Sequence, residues 1–317
     1  MKITLDLSKL VEEGRLTPAE AERLKRLAAG DTGSLGVNIL VGFGVISVAL
    51  GLAALFQDIT AGFVAGGALF ALGTFLTYTR GHQWWLLAQI CTVLGALIFC
   101  GTLMVYFEGS LAALATVTVL LAGAGILARS GLLMAASVLT LGACLGAKAG
   151  YWHATYALAI YEPLLTVLLF SGLALATYWL SHRLPADYER LALMASRTAV
   201  LMVNFGFWIG SLWGDRLLLL RGLTRAERPD VVVQDWVFGV GWALALVAVG
   251  AWGVKANRRW VVNIAAVFAA IHFYTQWFER LGATPVSVLL AGVIMLAIAL
   301  ALWRFNSGGA APQEKAA

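Results

Sequence analysis

The chain has 317 residues, of which 61% are hydrophobic and only 12% charged, with a formal net charge of +5 and a mean hydropathy of +0.84. A soluble domain carries about twice that charged fraction, so no water-covered surface can be built from this composition and a soluble globular protein is excluded. What remains is a chain whose solvent is largely hydrocarbon.

Apolar stretches of about 17 to 25 residues follow one another from Leu35 to Trp303. A hydrocarbon core about 30 Å thick needs about 20 apolar helical residues at 1.5 Å each, so the stretches predict transmembrane helices. They are too long and too uniformly apolar for the alternating strands of a barrel, and backbone groups in lipid must bond internally. The expected fold is therefore all-α: a polytopic transmembrane helical bundle of about ten spans.

In chain order, residues 1–33 come first and differ in kind, with Lys2, Lys9, Arg15, Arg23, Lys25 and Arg26 balanced by Asp6, Glu12, Glu13, Glu20, Glu22 and Asp31. No apolar run follows the positive start, so this is no signal peptide. Leu5 to Glu13 reads as a short helix stopped at Gly14. Thr17-Pro18-Ala19-Glu20 then starts a second helix, reaching Ala29 before Gly30: Thr17 caps, Pro18 suits the first helical position, and Glu20 returns a bond to the cap. The segment is expected to be a cytosolic helical hairpin, and its zero net charge argues against nucleic acid as a partner.

The bundle occupies residues 34–305. Its predicted spans are Leu35 to Phe56, Thr60 to Thr79, Gln83 to Phe107, Ser110 to Ala128, Gly131 to Ala147, Tyr161 to Ser181, Thr198 to Trp213, Trp236 to Val254, Trp260 to Phe278 and Thr284 to Trp303. Short connections make sequential helices antiparallel neighbours. Three connections are longer: Lys148 to Ile160, aromatic and lying along the outer interface; His182 to Arg197, mixed, with an amphipathic turn; and Asp215 to Asp235, rich in arginine. Residues 306–317 read as a disordered cytosolic tail. With the amino terminus inside, 16 of the 22 Lys and Arg residues fall on the cytosolic side, as the positive-inside rule demands. An even span count returns the carboxyl terminus to the cytosol, so both termini are expected on the cytosolic side of a cytoplasmic (inner) membrane.

Cys91, Cys100 and Cys144 all lie in apolar spans. The first two are nine residues apart on one helix, about 13 Å along its axis, beyond the roughly 7 Å limit for a disulfide, so all three read as small buried side chains. Glycine is abundant, at 34 residues. Gly62 and Gly66, then Gly142, Gly146 and Gly150, then Gly206, Gly210 and Gly214, recur every four residues, which marks faces for close helix packing or self-association. Asp58, Glu108, Glu162, Asp215, Asp235 and Glu279 fall at outer helix ends and read as solvated boundary markers.

Motifs of chemistry are missing: no phosphate loop, nucleophile elbow, paired zinc ligands or CxxC pair occurs. No cofactor, metal or catalytic residue is expected, and no enzyme. His82, His153 and His182 sit in loops. The ninth span differs, because His272, Gln276 and Glu279 recur at i, i+4 and i+7 and so share one stripe, with Asn263 lower on the same helix and Asn204 of the seventh span as a cross-helix partner. Polar groups at membrane depth face the bundle or a wet cavity. Asn204, His272, Gln276 and Glu279 are thus the candidate polar cavity, read first as interhelical hydrogen bonding and second as a solute or proton pathway.

Leu10-Val11-Glu12-Glu13-Gly14-Arg15-Leu16-Thr17-Pro18-Ala19-Glu20-Ala21-Glu22-Arg23-Leu24, followed by the glycine-rich stretch from Asn38 to Phe56 and by Arg80-Gly81-His82-Gln83-Trp84-Trp85, resembles the bacterial predicted membrane proteins grouped as domain of unknown function 2157. The resemblance covers about the first 110 residues. It implies a bacterial integral membrane protein with a cytosolic helical prefix, and no reaction. The expected function is structural or interactive, with the lipid bilayer and a protein partner or second copy as its contacts. The alternative is a small-solute transporter similar to the drug/metabolite transporter group, against which stands the lack of visible repeat between the two halves.

Overall fold

The computed structural model describes residues 17, 18, 20, 21, 44, 47, 51, 59–79, 85–152, 155–217 and 233–308. Most of the expected amino-terminal hairpin and most of the span Leu35 to Phe56 lie outside these residues, as does the tail beyond residue 308. Where residues of the hairpin are described, Thr17 and Glu20 form the reciprocal cap their spacing predicts: the Glu20 N–H donates to Thr17 Oγ1 at 3.3 Å, and Thr17 N–H donates to Glu20 Oε2 at 2.9 Å.

Among the described residues, in order, run α1 (Ile59–Thr79), α2 (Trp85–Tyr106), α3 (Leu111–Leu127), α4 (Gly131–Cys144), β1 (Lys148–Trp152), β2 (Thr155–Ala159), α5 (Pro163–Ser181), α6 (Ala186–Trp213), α7 (Asp235–Lys255), α8 (Arg259–Leu281) and α9 (Pro285–Gly308). Six of them, α1, α2, α5, α6, α7 and α8, are long and apolar enough to cross a membrane; α3, α4 and the Pro285–Leu300 part of α9 are shorter apolar helices. Several threonine hydroxyls inside these helices donate back to the carbonyl four residues earlier, as Thr92 does to Ala88 at 2.8 Å and Thr102 to Ile98 at 2.9 Å, whereas those of Thr74 and Thr166 are buried without a partner among the described residues.

Three turns explain the short connections. Helices α2, α3 and α7 each end in the same double closure, in which a residue at positive φ (Glu108 at 51°, Arg129 at 50°, Asn257 at 52°) follows the last helical turn. The next N–H then reaches back five residues, Gly109 to Met104, Ser130 to Gly125 and Arg258 to Gly253, at 2.8, 2.9 and 2.8 Å. This satisfies carbonyls that would otherwise face hydrocarbon. For Glu108 and Arg129 the left-handed backbone costs about 1 kcal/mol, and the saved loop length offsets it.

The chain divides into two units. The first comprises residues 1–144 and 174–198. Its seam is α1 on α2, where a Cβ added at Gly66 would lie 2.6 Å from the Phe99 nitrogen, and one at Gly73 would lie 2.7 Å from the Ala88 carbonyl oxygen. In lipid no hydrophobic force drives helices together, so such backbone-to-backbone approach supplies the dispersion contact that does. Ala96, Cys100 and Leu103 of α2, Ala113, Val117 and Leu121 of α3 and Leu133 of α4 form the buried cluster beside it. In the same unit the Ser196 hydroxyl donates to the Ala174 carbonyl at 3.0 Å, tying the start of α6 to the end of α5.

The second unit comprises residues 145–173 and 199–317. Trp242 and Leu246 of α7 pack on Ala265 and Phe268 of α8, with Leu201, Phe205, Phe207 and Trp208 of α6 against them. Gly206 of α6 meets Val167 and Thr166 of α5, and Gly210 meets the Phe238 ring of α7.

Four expectations are corrected. The fold is the expected helical bundle, but within it Lys148 to Ala159, expected as an aromatic connection, is an antiparallel hairpin pairing Lys148 with Ala159 and Trp152 with Thr155. The fifth span stops at Cys144 rather than Ala147, so Gly142, Gly146 and Gly150 share no helix face: Gly146 sits in a turn at φ 81° against Tyr161, and Gly150 lies in β1. The seventh span begins at Ala186, not Thr198, since Asp187 and Glu189 favour a first helical turn and convert the mixed connection into helix. Lastly, Glu162 and Asp215 are not solvated markers; they are 4% and 1% exposed.

Candidate functional site

The polar stripe of α8 lies in the second unit and faces inward only in part. Trp242, a mid-span tryptophan with no exposed surface, points its ring N–H at Asn204 Oδ1, 2.9 Å away. The Asn204 amide nitrogen donates in turn to the Val200 carbonyl at 2.8 Å, which fixes the side chain's orientation. His272 stands edge-on to the same indole, with ring centroids 4.9 Å apart and planes at 74°. One turn further, Gln276 lies against the bare backbone of Gly239, where a Cβ would come 3.4 Å from its Oε1. A parallel tie joins α6 to α8: Trp208 Nε1–H donates to Thr275 Oγ1 at 3.0 Å.

Three of the four expected residues are therefore brought to one indole or its immediate helix face. Asn204 takes its hydrogen bond from Trp242 of the eighth span rather than from the ninth-span stripe. Glu279 is exposed and takes no part, and Asn263 is exposed as well. His272 Nδ1 and Trp277 Nε1 are buried and lack a hydrogen-bond partner among the described residues. The arrangement is aromatic and close: Phe268 lies 6.5 Å from Trp242 and 6.0 Å from Phe205, centroid to centroid. It offers hydrogen-bonded locks between helices, not a set of groups converging on one reacting atom.

Trp242 escaped notice in the sequence, although a signal was there: it falls well inside its span, far from the water boundary where tryptophan anchors, so its N–H needs a buried acceptor. The role of Asp215 was also missed. Its Oδ2 accepts from the Leu164 N–H at 2.7 Å and its Oδ1 from the Leu217 N–H at 2.8 Å, while its backbone pairs with Val233. The carboxylate thus satisfies a first-turn donor of α5 from across the chain. Among the described residues no three His, Cys, Asp or Glu side chains gather as metal ligands would.

Six long apolar helices, whose polar side chains bond mostly to their own backbone and at a few places to a neighbouring helix, are compatible with a multi-pass integral membrane protein. No protein-family model, curated protein or solved structure matches the chain.

Proposed function

We infer that the chain is an integral protein of a bacterial cytoplasmic membrane with a structural or interaction role and no reaction of its own, crossing the bilayer ten times with both termini in the cytosol. The observation that carries this reading is the seating of the α8 stripe. His272 lies on Trp242 and Gln276 on Gly239, while Asn204 is spent on the Trp242 N–H. Groups that pass a solute or proton need room and water; these are used to hold helices in register. The resemblance of residues 10 to 24 to the domain of unknown function 2157 proteins fits the same reading, as does the Thr17–Glu20 cap at its centre.

A small-solute carrier similar to the drug/metabolite transporter group is the second reading, and the partnerless Nδ1 of His272 is what favours it. One pair of variants separates the two. With dry packing, His272→Phe keeps the edge contact and removes a buried polar atom, so it is at least as stable as the parent, whereas His272→Ala loses about 0.5 to 1.5 kcal/mol of ring contact. A water-lined pathway instead leaves both variants near parental stability, and that result overturns the structural reading. Reporter fusions after Asp58, Arg80, Asp230 and the last residue read out, in, out, in under the ten-span topology.

A further inference from the structure

The turn between α7 and α8 concentrates positive charge that the fold leaves unspent. Lys255, Arg258 and Arg259 stand exposed there, and they are the only charged residues between Asp235 and Glu279. Among the described residues none of the three enters an ion pair or a side-chain hydrogen bond. Two other cations show the contrast: Arg129 holds Asp187 at 2.7 Å, and the Arg183 guanidinium lies 3.7 Å from the centroid of the Trp179 ring. The turn is also stiff. Its Ala256, Asn257 and Arg258 N–H groups donate to the carbonyls of Trp252, Val254 and Gly253 at 2.8, 3.1 and 2.8 Å, and Gly253 packs against Val261 and Val262 at the start of α8.

Lys255 has a local reason for its place, because it lies in the last turn of α7, where the carbonyl end of a helix favours a cation. Arg258 and Arg259 have none. They occupy the cap and the first position of α8, whose first turn holds no acid and whose cap residue makes no side-chain bond to the free N–H groups. Two guanidinium groups therefore sit on the positive end of a helix dipole, an arrangement that destabilises the free protein and that an anion relieves. The positive-inside rule asks for basic residues beside a span, not for basic residues at a helix start. On the hydrocarbon side of the turn, Val247, Ala251 and Val254 of α7 recur at i, i+4 and i+7 and are exposed. A cationic turn thus stands at the water boundary directly above an apolar flank.

We propose that this turn binds the headgroup phosphate of an anionic phospholipid: Arg258 and Arg259 hold the phosphate with Lys255 beside them, and the acyl chains run down the flank of Val247, Ala251 and Val254. The phosphate then lies at the water boundary and the methylenes on the membrane side of it, the order that a bilayer imposes. Three cations with no acid among them favour a headgroup of net negative charge over a zwitterion. The apolar flank distinguishes a lipid from a free phosphate.

The inference rests on the membrane-spanning reading and not on the span count or on a structural role. It is tested on the purified full-length protein in neutral detergent by native mass spectrometry, titrating phosphatidylglycerol, phosphatidylcholine and inorganic phosphate. The expected result is selective retention of phosphatidylglycerol. Its binding falls about thirtyfold in the Arg258→Gln/Arg259→Gln variant, roughly fivefold for each arginine. Phosphatidylglycerol also raises the melting temperature of the parent and leaves that of the double variant unchanged. The idea is overturned if phosphatidylcholine is held equally, if inorganic phosphate displaces the lipid at the concentration at which it binds alone, or if the double variant binds as the parent does. Arg258→Gln and Arg259→Gln made singly keep the test decisive should the double variant insert poorly: binding at the parental level in both overturns the proposal as well. Carbonate extraction of membranes from the same cells reports the underlying reading separately: a chain released by carbonate defeats that reading, whereas a retained chain without lipid selectivity defeats only this one.

Discussion

Breaking the Asn204–Trp242 bond measures whether the inner face of the second unit is dry. Trp242 has no exposed surface and its N–H lies 2.9 Å from its acceptor. In Asn204→Ala that N–H loses its partner without gaining water, a loss of about 1 to 3 kcal/mol. Trp242→Phe removes the donor but also shrinks a packed ring, so its own cost mixes a hydrogen bond with a void of the kind that large-to-small changes leave. The double variant separates the two contributions, because the bond can be lost only once. Interhelical hydrogen bonds in membranes couple by about 0.6 to 1.7 kcal/mol, so the double variant should be more stable than the sum of the singles by about 1 kcal/mol. The assay is reversible unfolding of the full chain in mixed micelles, with all four proteins compared at one detergent ratio. A coupling within about 0.3 kcal/mol of zero, together with an Asn204→Ala variant near parental stability, would mean that water already serves these groups and that the dry-lock argument is wrong.

Gly66→Leu should separate α1 from α2 and cost at least about 1 to 3 kcal/mol, whereas Gly101→Ala, with nothing within 4 Å of its added methyl, should be neutral or gain up to about 1 kcal/mol by helix propensity; equal effects in thermal unfolding would refute the seam. Asp215→Ala leaves the Leu164 and Leu217 N–H groups unmet and should lower stability by about 1 to 3 kcal/mol, visible as faster amide exchange at the start of α5; unchanged exchange there would show the carboxylate to be incidental. Thr17, through its backbone N–H first and its hydroxyl second, holds the Glu20 carboxyl below its ordinary value. The folded pKa is depressed, so protection of the Glu20 and Ala21 amides should stay constant from neutrality down to the ordinary glutamate value of about 4.3 and fade only below it; fading that begins above pH 6 would rule the cap out.

Much of the bundle was legible because hydrocarbon imposes a single rule along the chain. The apolar runs gave α1, α2, α7 and α8 to within a few residues at either end, and Thr17-Pro18-Ala19-Glu20 foretold its cap from local chemistry alone. What escaped depends on facts that hydropathy does not carry. The amino-terminal half of α6 is charged, so its helix is announced by Asp187 and Glu189 at the first turn rather than by apolar length. The hairpin of β1 and β2 is too short for its alternation to stand out beside flanking spans. Gly73, seven residues from Gly66 on the same face, falls outside a search for four-residue repeats, and Gly95 stands alone on the facing helix, yet each admits a neighbouring backbone. The stripe of α8 was readable, but its partner was not: spacing on one helix says which groups share a face, and only packing says that Trp242 would stand between His272 and Asn204.

The short helices have a consequence for the surrounding lipid. At 1.5 Å per residue, the 17 residues of α3 and the 14 of α4 reach about 26 and 21 Å, against about 32 and 33 Å for the 21 and 22 residues of α1 and α2. A hydrocarbon core about 30 Å thick suits α1 and α2 and, under the proposed ten-span topology, overshoots α3 and α4. Hydrophobic mismatch of this sign draws the two leaflets together around the shorter pair, at a fraction of a kcal/mol per ångström. Under that topology the first unit meets a bilayer of uneven thickness, pinched beside α4 and relaxed beside α1. Lipids with shorter or more disordered chains relieve that pinch, so a membrane's acyl-chain length tunes how comfortably this half of the protein sits in it.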